Sequence, residues 1–155
     1  MQVRYIGGVI LSTYKSAAAI TRGRAVKLNS DSEVTHAGNL EKGIGIAAQT
    51  ARAISSGFNI FASSYDMGLS ADYYGRRNPY QVTYCNVGDP IGIYVGAGHI
   101  FDTFNEFVGT VAALALLTSN ASGQLTSTSV TAENAIAQAL TGGVKGTSTI
   151  TIKTL

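Results

Sequence analysis

Apolar residues recur at every second position in short blocks: Val26 and Leu28; Ile44, Ile46 and Ala48; Phe58 and Ile60; Tyr80, Val82 and Tyr84; Ile91, Ile93 and Val95; Leu114 and Leu116; Ile150 and Ile152. A period of two puts alternate side chains on one side of an extended backbone, so these blocks predict strands with one face turned inward. Between them stand Asn29-Ser30-Asp31-Ser32, Ala37-Gly38-Asn39, Ser55-Ser56-Gly57, Gly88-Asp89-Pro90, Asn120-Ala121-Ser122-Gly123 and Gly142-Gly143. These residues tolerate positive φ or bond their own backbone, and they mark turns. The sequence therefore predicts an all-β fold, or a mainly β one with one or two short helices, built as a small barrel or β-tulip-like sandwich.

Residues 132–140 (AENAIAQAL) and 47–54 (AAQTARAI) are rich in helix formers, and Ser129 or Thr131 offers a cap for the first. Both also carry alternating Ile and Ala, so helix and strand stay open for each. A repeat organises the chain further. The segment from Val26 to Val34 resembles that from Leu116 to Leu125, Gly43 to Ala47 parallels Ala135 to Ala139, and Phe58-Asn59-Ile60 parallels Ile150-Thr151-Ile152, at offsets of 90 to 92 residues. Two such strand-turn-strand-turn-strand units would bury their apolar faces against each other in one domain over residues 19–155.

Composition narrows the functional classes. Charged residues make up 13% of the 155 and hydrophobic ones 45%, which excludes a disordered chain. The net charge of +2 gives no electrostatic basis for a nucleic-acid or membrane-surface partner. A surface of Ser, Thr, Ala and Gly is cheaper to desolvate than one of Lys and Glu, so it suits being covered. A single cysteine, Cys85, excludes an internal disulfide and reads as a small buried hydrophobe. The longest apolar run, Val111 to Leu117, is far short of the ~20 residues that cross a bilayer. Residues 6–11 imitate the apolar stretch of a secretory signal, but Gly7 and Gly8 interrupt it and Tyr14 and Lys15 end it.

Two stretches stand apart from the strand pattern. Residues 65–80 (YDMGLSADYYGRRNPY) hold Tyr65, Tyr73, Tyr74, Arg76, Arg77 and Tyr80 with little aliphatic content, the composition favoured at protein interfaces. Residues 1–18 form an N-terminal arm or an edge strand, with Arg4, Tyr5 and Tyr14 around a β-prone apolar run suited to strand addition. These nine residues are the candidate partner-binding set.

Signals of catalysis are weak. Gly43-Ile44-Gly45-Ile46-Ala47-Ala48 fits G-x-G-x-x-A with Asp66 downstream, but Ile44 and Ile46 alternate like a strand where a nucleotide site needs a helix to open. His99, Asp102 and Glu106 would share a face if their segment were helical, yet Phe101, Phe104 and Phe107 share that spacing and read as an apolar patch. Asn120-Ala121-Ser122 fits a glycosylation acceptor and equally a turn. With nine carboxylates and two histidines no acid, base and nucleophile converge, so we expect no enzyme, cofactor or metal site.

Residues 19–29 (AITRGRAVKLN), Glu33-Val34, 43–47 (GIGIA) and 53–60 (AISSGFNI), echoed by 114–124 (LALLTSNASGQ), 135–140 (AIAQAL) and 146–152 (GTSTITI), resemble the small bacteriophage capsid decoration, or cement, proteins. The resemblance covers about residues 19–62 and 108–155. It implies a compact β-barrel or β-tulip on the outer surface of an icosahedral capsid, often a trimer, bracing the major capsid protein and neighbouring copies of itself without nucleic acid or membrane. Residues 65–80 and 96–107 depart from the shortest members of that family. The alternative from another class is a carbohydrate-binding or adhesin-like module, with Tyr73, Tyr74 and Tyr80 stacking on sugar rings and Asp72 and Asn78 bonding hydroxyls.

Overall fold

A computed structural model of the chain describes residues 1–53 and 84–155. Among these residues there are strands, turns and bends but no helix. Sixteen strands run in order as β1 (Gln2–Tyr5), β2 (Val9–Leu11), β3 (Lys15–Ser16), β4 (Ala25–Leu28), β5 (Glu33–His36), β6 (Gly45–Ala47), β7 (Thr50–Arg52), β8 (Tyr84–Asn86), β9 (Ile93–Val95), β10 (Ile100–Thr103), β11 (Thr110–Val111), β12 (Leu116–Ser119), β13 (Leu125–Thr126), β14 (Ala137–Ala139), β15 (Gly143–Val144) and β16 (Ile150–Thr154). Sheet I has the order β1-β10-β16-β14-β12-β13 and sheet II the order β2-β9-β6-β4-β5-β3; two-stranded ribbons β11-β15 and β7-β8 complete the fold. Neither sheet closes on itself, so of the two expected architectures the sandwich is the one formed.

Alternation explains the core. Ala25, Ile46 and Tyr94 of sheet II meet Phe101, Leu117, Ala137, Ala139, Ile150 and Ile152 of sheet I, with Phe107, Val111 and Leu125 filling the space between. The neighbours of the sheet II residues point the other way. Val26, Val34, Ala47 and Ile93 form a second cluster with Ile20, Ile91 and, from the β7-β8 ribbon, Ala51 and Cys85. Sheet II is thus buried on both faces, which is why its strands carry adjacent apolar residues rather than a strict apolar-polar alternation.

The repeat is visible as topology. The hairpin β4-β5 joined to β6 has its counterpart in β12-β13 joined to β14, with Ala25↔Ile46 matching Leu117↔Ala137. The hairpins meet where Ala25 N–H donates to Gly123 O at 2.8 Å and Leu40 N–H donates to Ser119 O at 2.8 Å. The third parallel, residues 58–60, lies outside the described residues, and the place beside β6 that corresponds to β16 is taken by β9.

Neither stretch left open between helix and strand is helical as far as it is described, and each runs into a strand. Residues 132–134 are a turn leading into β14, and residues 47–53 pass through a bend into β7. Ala137 and Ala139 pack into the main core and Ala47 and Ala51 into the second, so burial on a sheet outweighs their helix propensity.

Candidate interaction face

The third and sixth residues of the G-x-G-x-x-A segment lie in and just after strand β6, and among the described residues no helix follows. Its glycines answer to strand packing. A Cβ on Gly43 would run into Val26 O, and one on Gly45 into Tyr94 O and to 2.9 Å from Ile93 Cγ2. His99 is fully buried at the corner between β9 and β10, with Nε2 3.0 Å from Val95 O and the ring stacked on Phe101. Phe101 and Phe107 are core and Phe104 is exposed, because the segment is a strand and a turn rather than a helix. Cys85 is buried, and burial, with Asp89 nearby, pushes its thiol up to about 11, which suits an inert packing role. Asn120 Oδ1 accepts the N–H groups of Ser122 and Gln124 at 2.9 Å, so the glycosylation-like tripeptide is a side-chain-closed turn.

The remaining feature is a face that no described residue covers. Registers across sheet I put Tyr5, Ile100, Lys153, Gln138 and Leu116 in one row on the side away from the core. Five strands at the usual spacing make this row about 19 Å wide. Beside it runs Gln2, Asp102 and Thr151, continued by Leu140, whose N–H donates to Thr151 O at 2.7 Å. Tyr5 is 60% exposed, Leu116 37% and Leu140 36%.

The acidic group on this face is paired, and Lys153 leaves the face a positive charge. A bulge at Arg4 lets its Nε reach Asp102 Oδ2 at 2.6 Å, while Thr151 Oγ1 donates to Asp102 Oδ1 at 2.7 Å. Burial pushes the Asp102 carboxyl up, but the Thr151 and Arg4 hydrogen bonds outweigh it and hold the group below the usual carboxylate range.

Leu114 borders the face in a left-handed conformation, φ 65°, and its side chain is 68% exposed. A branched, non-glycine residue there costs about 1–2 kcal/mol, and an exposed leucine recovers none of it by burial. The conformation is held by Leu114 N–H donating to Ala139 O at 2.8 Å and by Gln138 Nε2 donating to Leu114 O at 3.1 Å. Alternation marks Leu114 and Leu116 as an inward-facing strand pair, but Leu114 precedes β12 and both side chains are exposed, because alternation alone leaves open which face of a strand is covered. No sequence signal singles out Leu140.

Of the nine expected partner-binding residues, Arg4 and Tyr5 lie on edge strand β1 beside this face. Tyr14 is half-buried against the second cluster, and its carbonyl accepts Ile91 N–H at 2.9 Å. Tyr65, Tyr73, Tyr74, Arg76, Arg77 and Tyr80 lie outside the described residues, as do Asp72 and Asn78. Residues 1–18 contribute β1, β2 and β3, each at an edge of a described sheet.

No protein-family model and no curated protein matches the chain. Among solved structures, the chain is similar to the N base of the head fiber protein gp8.5 of bacteriophage phi29, with a TM-score of 0.49 and 14% identity over 95% of this chain and 93% of that one.

Proposed function

We propose that the protein is a structural component of a phage virion that binds the outer surface of the assembled capsid and stabilises it, using the outer face of sheet I against the major capsid protein. What carries the reading is the exposed outer face of sheet I, where Asp102 is paired with Arg4 and a strained leucine at the border is held out to solvent. The resemblance of residues 19–62 and 108–155 to decoration proteins gives the class of partner. A face of this width is small against a stable pairwise interface, which buries ~800 Å² per partner, so each contact is modest. On a shell with many equivalent positions, modest contacts made by several copies sum to a useful bracing energy.

Expanded capsid shells lacking decoration, mixed with the purified protein and pelleted, provide the test. Saturable co-sedimentation with a fixed copy number per shell is expected, and absence of the protein from the pellet overturns the reading.

A further inference from the structure

Among the described residues, sheets I and II have four edges between them, and three are protected. The outer side of β13 is closed by Val108 N–H donating to Leu125 O at 2.8 Å and Leu125 N–H donating to Glu106 O at 3.0 Å. The outer side of β3 is closed by Ser16 N–H donating to Asp89 O at 3.1 Å and Gly88 N–H donating to Ser16 O at 2.9 Å. At β1 the ladder is broken by the bulge at Arg4, which also sets a charge on the edge. Bulges and edge charges are the usual defences against strand pairing.

Strand β2 has none of these. Val9-Ile10-Leu11 is uncharged, free of proline and in unbroken register with β9, and among the described residues nothing bonds to its outer side. Its polarity can be followed across the sheet. Ala47 N–H donates to Arg24 O, so Ile46 faces β9 and its partner Tyr94 faces back. Ile93 and Val95 then face β2, and alternation turns the N–H and C=O of Ile10 outward.

We infer that β2 pairs antiparallel with β2 of a second copy about a two-fold axis through Ile10, extending sheet II across the dimer. A second copy fits because the edge is self-complementary. The two Ile10 residues exchange both backbone hydrogen bonds, while Val9 lies opposite Leu11 of the other copy at the closer, non-hydrogen-bonded spacing. No like charges meet there, since the strand carries none. The inference concerns self-association alone and is independent of the capsid reading.

Light scattering coupled to gel filtration of the full chain over a concentration series tests it. The mass is expected to rise from 16.1 kDa toward twice that value. Val9→Glu with Leu11→Glu sets Glu against Glu in both cross-strand pairs and returns the mass to that of the monomer. Val9→Glu with Leu11→Lys carries a similar burial cost but sets Glu against Lys, so it restores the dimer. A wild-type chain monomeric throughout the series overturns the inference, as does a dimer that both double variants leave equally intact or equally broken.

Discussion

Sheets I and II have the same number of strands and contain corresponding hairpins, yet among the described residues sheet II is packed on both faces and sheet I on one. In sheet II the residues turned away from the main core, Val26, Ala47 and Ile93, sit beneath Ile20, Ile91 and the β7-β8 ribbon. In sheet I the corresponding side shows Tyr5, Lys153, Gln138 and Leu116 to solvent. Units of corresponding topology therefore differ in what covers them: one is an interior layer, the other an exposed surface.

Paired substitutions on the two far faces put the contrast at risk most directly. Ile93→Ala opens a cavity in a fully buried cluster and should cost about 2–5 kcal/mol in urea unfolding. Leu116→Ala on sheet I should stay within about 0.5 kcal/mol. Equal losses would erase the distinction. Next in size, Gly45→Ala forces a methyl onto the Tyr94 carbonyl, and a loss of about 1–3 kcal/mol is expected.

The sheets should also respond to acid in different windows. His36 on β5 accepts Thr21 N–H at 3.0 Å through Nε2, and burial, with Arg24 nearby, holds its pKa below the usual 6.5. A depressed folded pKa means that this stabilisation is complete above pH 6.5 and declines as pH falls below it. Asp102 on sheet I, also depressed, keeps its contribution until pH falls through the range below 3.8. Stability measured against pH should therefore show a first decline that His36→Gln flattens and a later one that Asp102→Asn flattens. The smallest effect is a gain: Leu114→Gly relieves the left-handed strain and should add about 0.5 kcal/mol after the added freedom of the unfolded chain is counted.

Much of the fold was legible because a period of two survives burial on either face. Ile150-Thr151-Ile152 and the duplicated hairpin turns announced themselves, and the turn at Asn120 bonds its own backbone as its residue type implies. The choice between helix and strand at 132–140 was not legible, since an alanine-rich segment fits either until a neighbouring sheet offers it burial. Nor was the exposed face. Leu116 and Leu117 are adjacent and identical in type, and only the register with Gln138 and Ala137 decides which one points to solvent. Aromatic and basic composition drew attention to residues 65–80, whereas the described face is built from Tyr5, Ile100, Lys153, Gln138 and Leu116, spaced far apart in the chain.

The central claim, that the uncovered face of sheet I is the docking surface, meets its most direct test in co-sedimentation of Leu114→Glu with Leu116→Glu beside the wild-type chain on undecorated shells. Both positions are exposed, so thermal unfolding of the variant should match the wild type while its capsid occupancy falls at least tenfold. A variant that unfolds like the wild type and fills the capsid to the same copy number would contradict the account.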